Sequence, residues 1–317
     1  MISFIVIGRN EGRTVDKTIK SIYKYVEFNR IDSFEIIYVD SKSTDESIEI
    51  VKNFKEVKIF EITGEINAAI ARNIGAKESK GDVLVFLDAD MEIEKTFHDA
   101  IFKNKESVYP FVSGQLKNIY HNAKWEVVDE AMQDPNLHQD KFFAKTGGYF
   151  IIDRETWFSV AGMKTKYRRT QDYDLGLRLA KQGILLLRKK ELFVKHHTIH
   201  YENPTRMWRM LFDGSLIYQT SVLYRDHIAN KYIYEIILRE NYTLLILIMS
   251  LILSFVSPLF LLLHPFSVVA RVGFRKNIKG NGMFIKKFIY TYLKDIFSLF
   301  GFFIFFPKTK KMEYKRI

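Results

Sequence analysis

Short, mainly apolar runs punctuate the first part of the chain at Ile2 to Ile7, Phe34 to Val39, Val57 to Ile62 and Val83 to Leu87. Each is long enough for a strand buried on both faces and too short for an independent helix. Between them, Thr14 to Val26 carries Val15, Ile19, Ile22 and Val26 at helical spacing. The stretch after Ser41-Lys42-Ser43-Thr44-Asp45-Glu46 repeats the pattern with Ile48, Val51 and Phe54, and Ile66 to Ala76 is a helix rich in small residues. Strands alternating with helices predict an α/β fold whose sheet is mostly parallel, joined by right-handed crossovers. Further on, Phe111 to Leu116 reads as a strand, Ala123 to Met132 as a helix facing the acceptor side, and Leu185 to Lys195 as an apolar-basic strand.

The polar clusters at residues 8–12, 40–45 and 88–92 each follow a strand, so all three fall on one edge of the sheet, as in a nucleotide site. The last is Asp88-Ala89-Asp90. In extended backbone, side chains two apart point the same way. Two carboxylates can then meet at one point, which suits a hard divalent cation. A polar turn closing a strand is the plain alternative.

Composition adds three constraints. Of 317 residues 47% are hydrophobic and 15% aromatic, and the net charge is +11. The net positive charge gathers in the C-terminal third, where acids are few and basic residues lie among apolar segments, favouring an anionic membrane surface over nucleic acid. There is no cysteine, which excludes disulfides and thiolate metal sites. Met1 to Ile7 is strand-like and Arg9 follows it, so no signal peptide is expected and the N-terminal part is expected in the cytosol.

Four ordered motifs carry a resemblance: Val6-Ile7-Gly8-Arg9-Asn10-Glu11-Gly12, Tyr38-Val39-Asp40-Ser41-Lys42-Ser43-Thr44-Asp45, Ala71-Arg72-Asn73-Ile74-Gly75 and Phe86-Leu87-Asp88-Ala89-Asp90. Together they resemble the family 2 glycosyltransferases of GT-A fold. The resemblance implies that Arg9, Asn10, Glu11 and Asp40 bind the nucleoside, and that Arg72 lies near base and diphosphate. It implies that Asp88 and Asp90 hold ribose and a divalent metal, Mg²⁺ or Mn²⁺, on the diphosphate. Ser41 and Lys42 stand where many members have Asp-Gly, leaving the nucleobase open. Gly147-Gly148 before an apolar strand and Arg154-Glu155 is similar to a family segment whose glycines admit backbone close to the donor sugar; a structural turn explains the pair equally well.

Thr170-Gln171-Asp172-Tyr173-Asp174-Leu175-Gly176-Leu177-Arg178-Leu179 resembles the family's E-D-x-D-L-x-x-R-L motif, with Gln171 for the first acid. Inverting transfer needs a base for the acceptor hydroxyl, and Asp172 matches that position; alone it reads as a helix cap. Asp174 and Arg178 are spaced to pair on one helix. In similar enzymes a histidine near the position of His196 and His197 completes the metal shell or touches the diphosphate. The doublet does not say which imidazole faces in, and His200 follows closely.

From Asn203 the character changes. Pro204 to Arg225 interleaves Met207, Trp208, Met210, Leu211, Leu216 and Ile217 with Arg206, Arg209 and Arg225, fitting an interfacial helix. Processive relatives carry a Q-x-x-R-W run here; this chain has none, which implies addition of one sugar at a time. Thr243 to Leu263 is uncharged and long enough for a span, with Pro258 and Pro265 placed to break it into a re-entrant hairpin. Ile296 to Phe306 is short unless Phe288 to Leu293 joins it, burying Lys294 and Asp295. The linker Arg271 to Lys287 and the tail Lys308 to Arg316 are basic and expected on the cytosolic side. The expectation is a transferase domain over 1–200, interfacial helices over 201–240 and a membrane region over 241–317. It works at the cell membrane with the catalytic domain in the cytosol, on a nucleoside diphosphate-sugar and a lipid-linked or glycan acceptor, with no role for nucleic acid. Rival readings are a polyprenyl-phosphate glycosyltransferase and a non-catalytic membrane scaffold.

Overall fold

The computed structural model describes residues 1–103, 106–107, 109–199, 205–274 and 281–317, in two units: Met1–Tyr201 with Lys308–Ile317, and Glu202–Pro307. In the first unit, β1 (Ile2–Gly8), β2 (Phe34–Asp40), β3 (Val57–Ile62) and β4 (Val83–Asp88) lie parallel in the order β4-β1-β2-β3. Their crossovers are α1 (Val15–Phe28), α2 (Ser47–Lys52) and α3 (Ala68–Glu78). The apolar runs become strands because both faces are covered: Phe4, Val6 and Val85 pack with α1, and Ile5, Phe86 and Leu84 with α3. Small residues in α3 let it approach closely. A Cβ on Gly75 would lie 2.2 Å from Ile5 Cγ2, so only glycine fits at that crossing.

The sheet continues beyond β4 with mixed polarity. After the short β5 (Met91–Ile93) come β6 (Phe111–His121), β7 (Val127–Met132), β8 (Lys141–Phe143) and β9 (Phe150–Asp153). Two helices, α4 (Arg154–Ser159) and α5 (Gln171–Lys181), precede β10 (Leu186–Ile199). Strand β9 runs antiparallel between β4 and β6, while β10 runs parallel to β6 and antiparallel to both β5 and β8. This is the Rossmann-like GT-A architecture, with a large central sheet.

The helix expected over Ala123 to Met132 is instead a turn followed by β7, antiparallel to β6. The Asn122 side chain accepts from the amides of Lys124 and Glu126, closing the turn, and Trp125 sits at φ 65. The open edge of β6 supplied a ladder that local helical spacing did not anticipate. The tail, expected with the membrane region, also joins the first unit. There β11 (Tyr314–Arg316) pairs antiparallel with β3, and Tyr314 packs edge-on against Phe60.

The second unit is helical: α6 (Thr205–Phe212), short helical turns over Ser215–Asp226, α7 (Lys231–Leu253), α8 (Leu263–Gly273) and α9 (Asn281–Ile304). The interfacial helix expected over Pro204 to Arg225 is therefore broken, with Gly214 at φ 72 between its parts; Pro204 lies outside the described residues. The apolar segments 288–293 and 296–304 do join in one helix, α9. The charges this buries are neutralised inside the unit, since His264 lies 3.3 Å and Lys294 3.4 Å from the Asp295 carboxylate. Among the described residues α7 alone is long and apolar enough to cross a membrane.

Candidate active site

The turns after β1 and β2 are welded by side chains. Asn10 Oδ1 accepts from the Thr44 amide at 2.8 Å, Ser43 Oγ from the Asn10 amide at 2.9 Å, and Asp45 Oδ2 from the Gly12 amide at 3.0 Å. Asp40 lies fully buried beneath this weld. Its carboxylate accepts from the Ser43 amide (2.7 Å), the Ser43 hydroxyl (2.6 Å) and the Tyr38 hydroxyl (3.1 Å). Asp40 therefore shapes the loop, and its neighbour Ser41 reaches the adjoining cavity instead.

That cavity, about 460 Å³, opens at the carboxyl edge of the parallel strands. Arg9 and Glu11 border it from the first turn, Arg72 from α3, Asp88 from the end of β4 and Asp90 from the turn after it, Gly148 from the turn before β9, and Asp172 from the first turn of α5. Arg72 is 2% exposed; its Nη2 donates to Asp88 Oδ1 at 2.6 Å and to the Gly148 carbonyl at 2.9 Å. The two glycines of the doublet separate here. A Cβ on Gly148 would stand 2.6 Å from Asp88 Oδ2, whereas one on Gly147 would meet nothing nearer than 3.7 Å.

The histidines separate too, because successive strand residues face opposite ways. His196 turns its Nε2 to Asp90 Oδ2 (3.1 Å) and its Nδ1 to Asn118 Oδ1 (2.8 Å). His197 instead meets Glu92 (2.6 Å) and His121 (2.9 Å), and borders a second cavity with Trp125. His200 lies outside the described residues. Asp174 and Arg178 pair at 2.8 Å, with Arg178 also donating to the carbonyls of Val160 and Gly162; this pair holds α5 in place.

Carboxylates outnumber what protein cations neutralise at the cavity floor, and proton affinities record it. Burial, and then the charge of Asp90, push Glu11 up to about 7. Burial raises Asp88 to about 6 against the pull of Arg72, with Asp90 adding to the rise. Burial likewise raises Asp172, opposed by Arg72 and backbone amides. For His196, burial works downward, but the bond to Asp90 and the charges of Asp90, Asp88 and Glu11 prevail and raise it. Crowded acids that share one recess favour either protons or a cation.

The donor set fits a hard divalent ion. Asp90 Oδ1 is buried with no hydrogen-bond partner among the described residues, and His196 Nε2 lies beside the other oxygen. No three acids or histidines are grouped as a complete metal cage among the described residues. Few protein donors leave the other coordination positions to phosphate oxygens and water, as Mg²⁺ prefers.

The model of glycosyl transferase family 2 matches residues 3–172, more than half of the chain. The protein belongs to glycosyl transferase family 2. An uncharacterized glycosyltransferase of Haemophilus influenzae is 30% identical over 198 residues, covering 57% of this chain and 63% of its own length, so this chain spans less than two thirds of that relative. The E. coli UDP-Glc:alpha-D-GlcNAc-diphosphoundecaprenol beta-1,3-glucosyltransferase WfaP is 26% identical over 61% of this chain and 82% of its own. A Methanococcus voltae dolichyl N-acetyl-alpha-D-glucosaminyl phosphate 3-beta-D-2,3-diacetamido-2,3-dideoxy-beta-D-glucuronosyltransferase is 24% identical over 62% of this chain and 67% of its own.

The cavity also has lining residues that motif reading passed over. Asn67 caps α3 through the Ile70 amide and lines the cavity, and Arg168 lines the same cavity as Asp172. The basic run Lys164 to Arg169, directly before the Asp172 motif, was the available signal for a phosphate partner. Asn118 left no signal, because its link to His196 exists only through β6–β10 register.

Proposed function

We propose that the protein catalyses inverting transfer of one sugar from a nucleoside diphosphate-sugar to a membrane-linked acceptor, with a polyprenyl carrier as the favoured anchor. The product would enter a cell-surface polysaccharide or glycoconjugate. The observation that carries this reading is the convergence of Glu11, Arg72, the Asp88–Asp90 pair and Asp172, from four separate stretches of chain, on one cavity. The relatives whose names specify diphosphoundecaprenol-linked and dolichyl-linked acceptors support the carrier.

In this reading the welded turns at residues 9–12 and 41–45 receive the nucleoside, with Asp40 holding their shape from below. Arg72 and Arg168 face the diphosphate. Asp90 and His196, with Asp88, would hold Mg²⁺ or Mn²⁺. Such an ion would offset the charge that develops on the departing diphosphate. Gly148 keeps backbone close to the sugar without steric obstruction. Asp172 takes the proton of the attacking hydroxyl; burial raises its proton affinity and so makes it a stronger base than an ordinary carboxylate. Its position in the first turn of α5 holds the carboxylate stiffly.

The decisive experiment is Asp90→Asn with matched donor-binding and transfer assays, each with and without chelator. The expected result is loss of metal-stimulated transfer, down by about 10²-fold or more, in a protein that still melts cooperatively. Wild-type transfer by this variant, unaffected by chelator, would overturn the metal assignment.

A further inference from the structure

The second unit carries a hairpin whose shape constrains how it meets lipid. From Tyr242 to Ala270 there is no Asp, Glu, Lys or Arg, while Lys231, Glu235, Arg239 and Glu240 precede this stretch and Arg271 ends it. Helix α7 kinks at Asn241 (φ −148, ψ 35), where the charged part gives way to the uncharged part. It stops at Leu253; the chain turns, passes through a 3₁₀ segment (Pro258–Leu262) and returns as α8. The turn is apolar and strongly exposed, with Phe255 93%, Val256 81% and Leu259 75% exposed. Only 39% of the apolar window of α7 is buried, too little for the central helix of a water-soluble bundle.

Three independent constraints then apply. First, reach: from Asn241 to Leu253 a helix rises about 20 Å, short of a hydrocarbon core of about 30 Å. Second, parity: the chain enters this unit from the first unit and leaves it at Lys308 to rejoin the same sheet through β11. Both junctions therefore lie on one side of any membrane, and the number of full crossings is even. Third, the amides of the turn are satisfied from within the chain. The amides of Ser254, Phe255, Val256 and Ser257 donate to carbonyls of Ser250, Ile252 and Leu253, Leu259 donates to Ser257 Oγ, Phe260 to the Ser257 carbonyl, and Pro258 has no amide. Ser250 and Ser254 hydroxyls donate to the carbonyls of Phe260 and Leu251. A turn in hydrocarbon requires its amides to be paired within the chain, as these are.

We infer that α7 and α8 form a re-entrant hairpin that inserts its Phe255–Leu259 tip into the acyl layer of one leaflet and crosses no bilayer. Basic residues Lys231, Arg239 and Arg271 at its base meet anionic headgroups. The inference deepens the membrane-linked acceptor reading above, yet its test reads topology and not transfer, so either can fail alone.

The natural absence of cysteine makes the test direct. Single replacements Phe255→Cys at the tip, Met283→Cys in α9, Lys311→Cys in the tail and Lys24→Cys on α1 are made in the full chain. Sealed membrane vesicles of known orientation are treated with a membrane-impermeant maleimide from either side. Lys24→Cys, Met283→Cys and Lys311→Cys should label from one and the same side, while Phe255→Cys loses labelling from both sides until detergent is added. A fluorophore placed at Phe255→Cys in advance should be quenched by acyl-brominated lipids. Labelling of Phe255→Cys from the side opposite Lys24→Cys would show a crossing and overturn the inference. Labelling from the Lys24→Cys side in sealed vesicles would show a tip outside lipid and overturn it as well.

Discussion

Replacing Gly148 by alanine adds one carbon, placed 2.6 Å from Asp88 Oδ2 and 3.1 Å from Arg72 Nη2. Gly148 does not have a positive φ, so alanine is acceptable to the backbone and the effect is one of space alone. The new methyl sits about 1 Å inside favourable contact distance, so the Asp88 carboxylate must retreat by a comparable amount. Retreat stretches the 2.6 Å bond to Arg72, a link between two charged groups. Loss of a hydrogen bond to a charged group costs about 1.5–3 kcal/mol, which at about 1.4 kcal/mol per tenfold weakens nucleoside diphosphate binding by roughly 10- to 100-fold. Gly147→Ala is the matched control, since its methyl meets nothing nearer than 3.7 Å. Calorimetric titration of nucleoside diphosphates with Mn²⁺ measures both variants, with circular dichroism confirming the fold. Gly148→Ala should lose at least tenfold in affinity and Gly147→Ala less than twofold. If Gly148→Ala binds like the parent, or both glycines behave alike, the argument from close approach is wrong.

Asp172→Asn should lower kcat by about 10²–10⁴-fold while donor affinity stays within a few-fold, read from steady-state kinetics and calorimetry; a variant that keeps most of its rate points to an acceptor already anionic, such as a lipid phosphate. Glu11 and Asp88 have raised proton affinities, about 7 and about 6, so the folded state favours their protonated forms. Their contribution to stability is present at low pH and is lost as pH rises through those values, so ionisation is costly at neutrality unless a cation is bound. Mn²⁺ should accordingly raise the melting temperature more at pH 7.5 than at 5.5; equal increments would separate the metal from these carboxylates. In the second unit, Asp295→Ala leaves His264 and Lys294 without their shared carboxylate, and should cost about 3–5 kcal/mol in detergent-solubilised melts.

Reading the chain succeeds where local pattern and global fold agree. Apolar runs of strand length followed by polar clusters locate β1, β2 and β4 with their carboxyl-edge loops, because burial on both faces leaves little choice of residue there. Reading fails where pairing comes from afar. Val127 to Met132 has mixed polarity at spacing compatible with a helix, and only the free edge of β6 makes it a strand. The tail Lys308–Ile317 reads as a basic tether next to a membrane. Yet Tyr314 finds Phe60 and Glu78, and the Thr165 hydroxyl accepts from the Lys310 amide and donates to the Lys310 carbonyl, contacts between residues far apart in the chain.

By itself the sequence determined which chemistry was on offer: paired acids after a strand, an arginine in a small-residue helix, an acid opening a later helix, and an uncharged hairpin. Each follows from the side-chain periodicity of local backbone, which the order of residues encodes directly. The tertiary structure decided which of these groups face one another. It turned Asp40 inward beneath its loop, chose His196 over His197 for Asp90, gave Gly148 and not Gly147 the tight contact, and brought the tail back to β3. Those choices depend on strand register and on which element covers which face, quantities set by the packing of segments many residues apart.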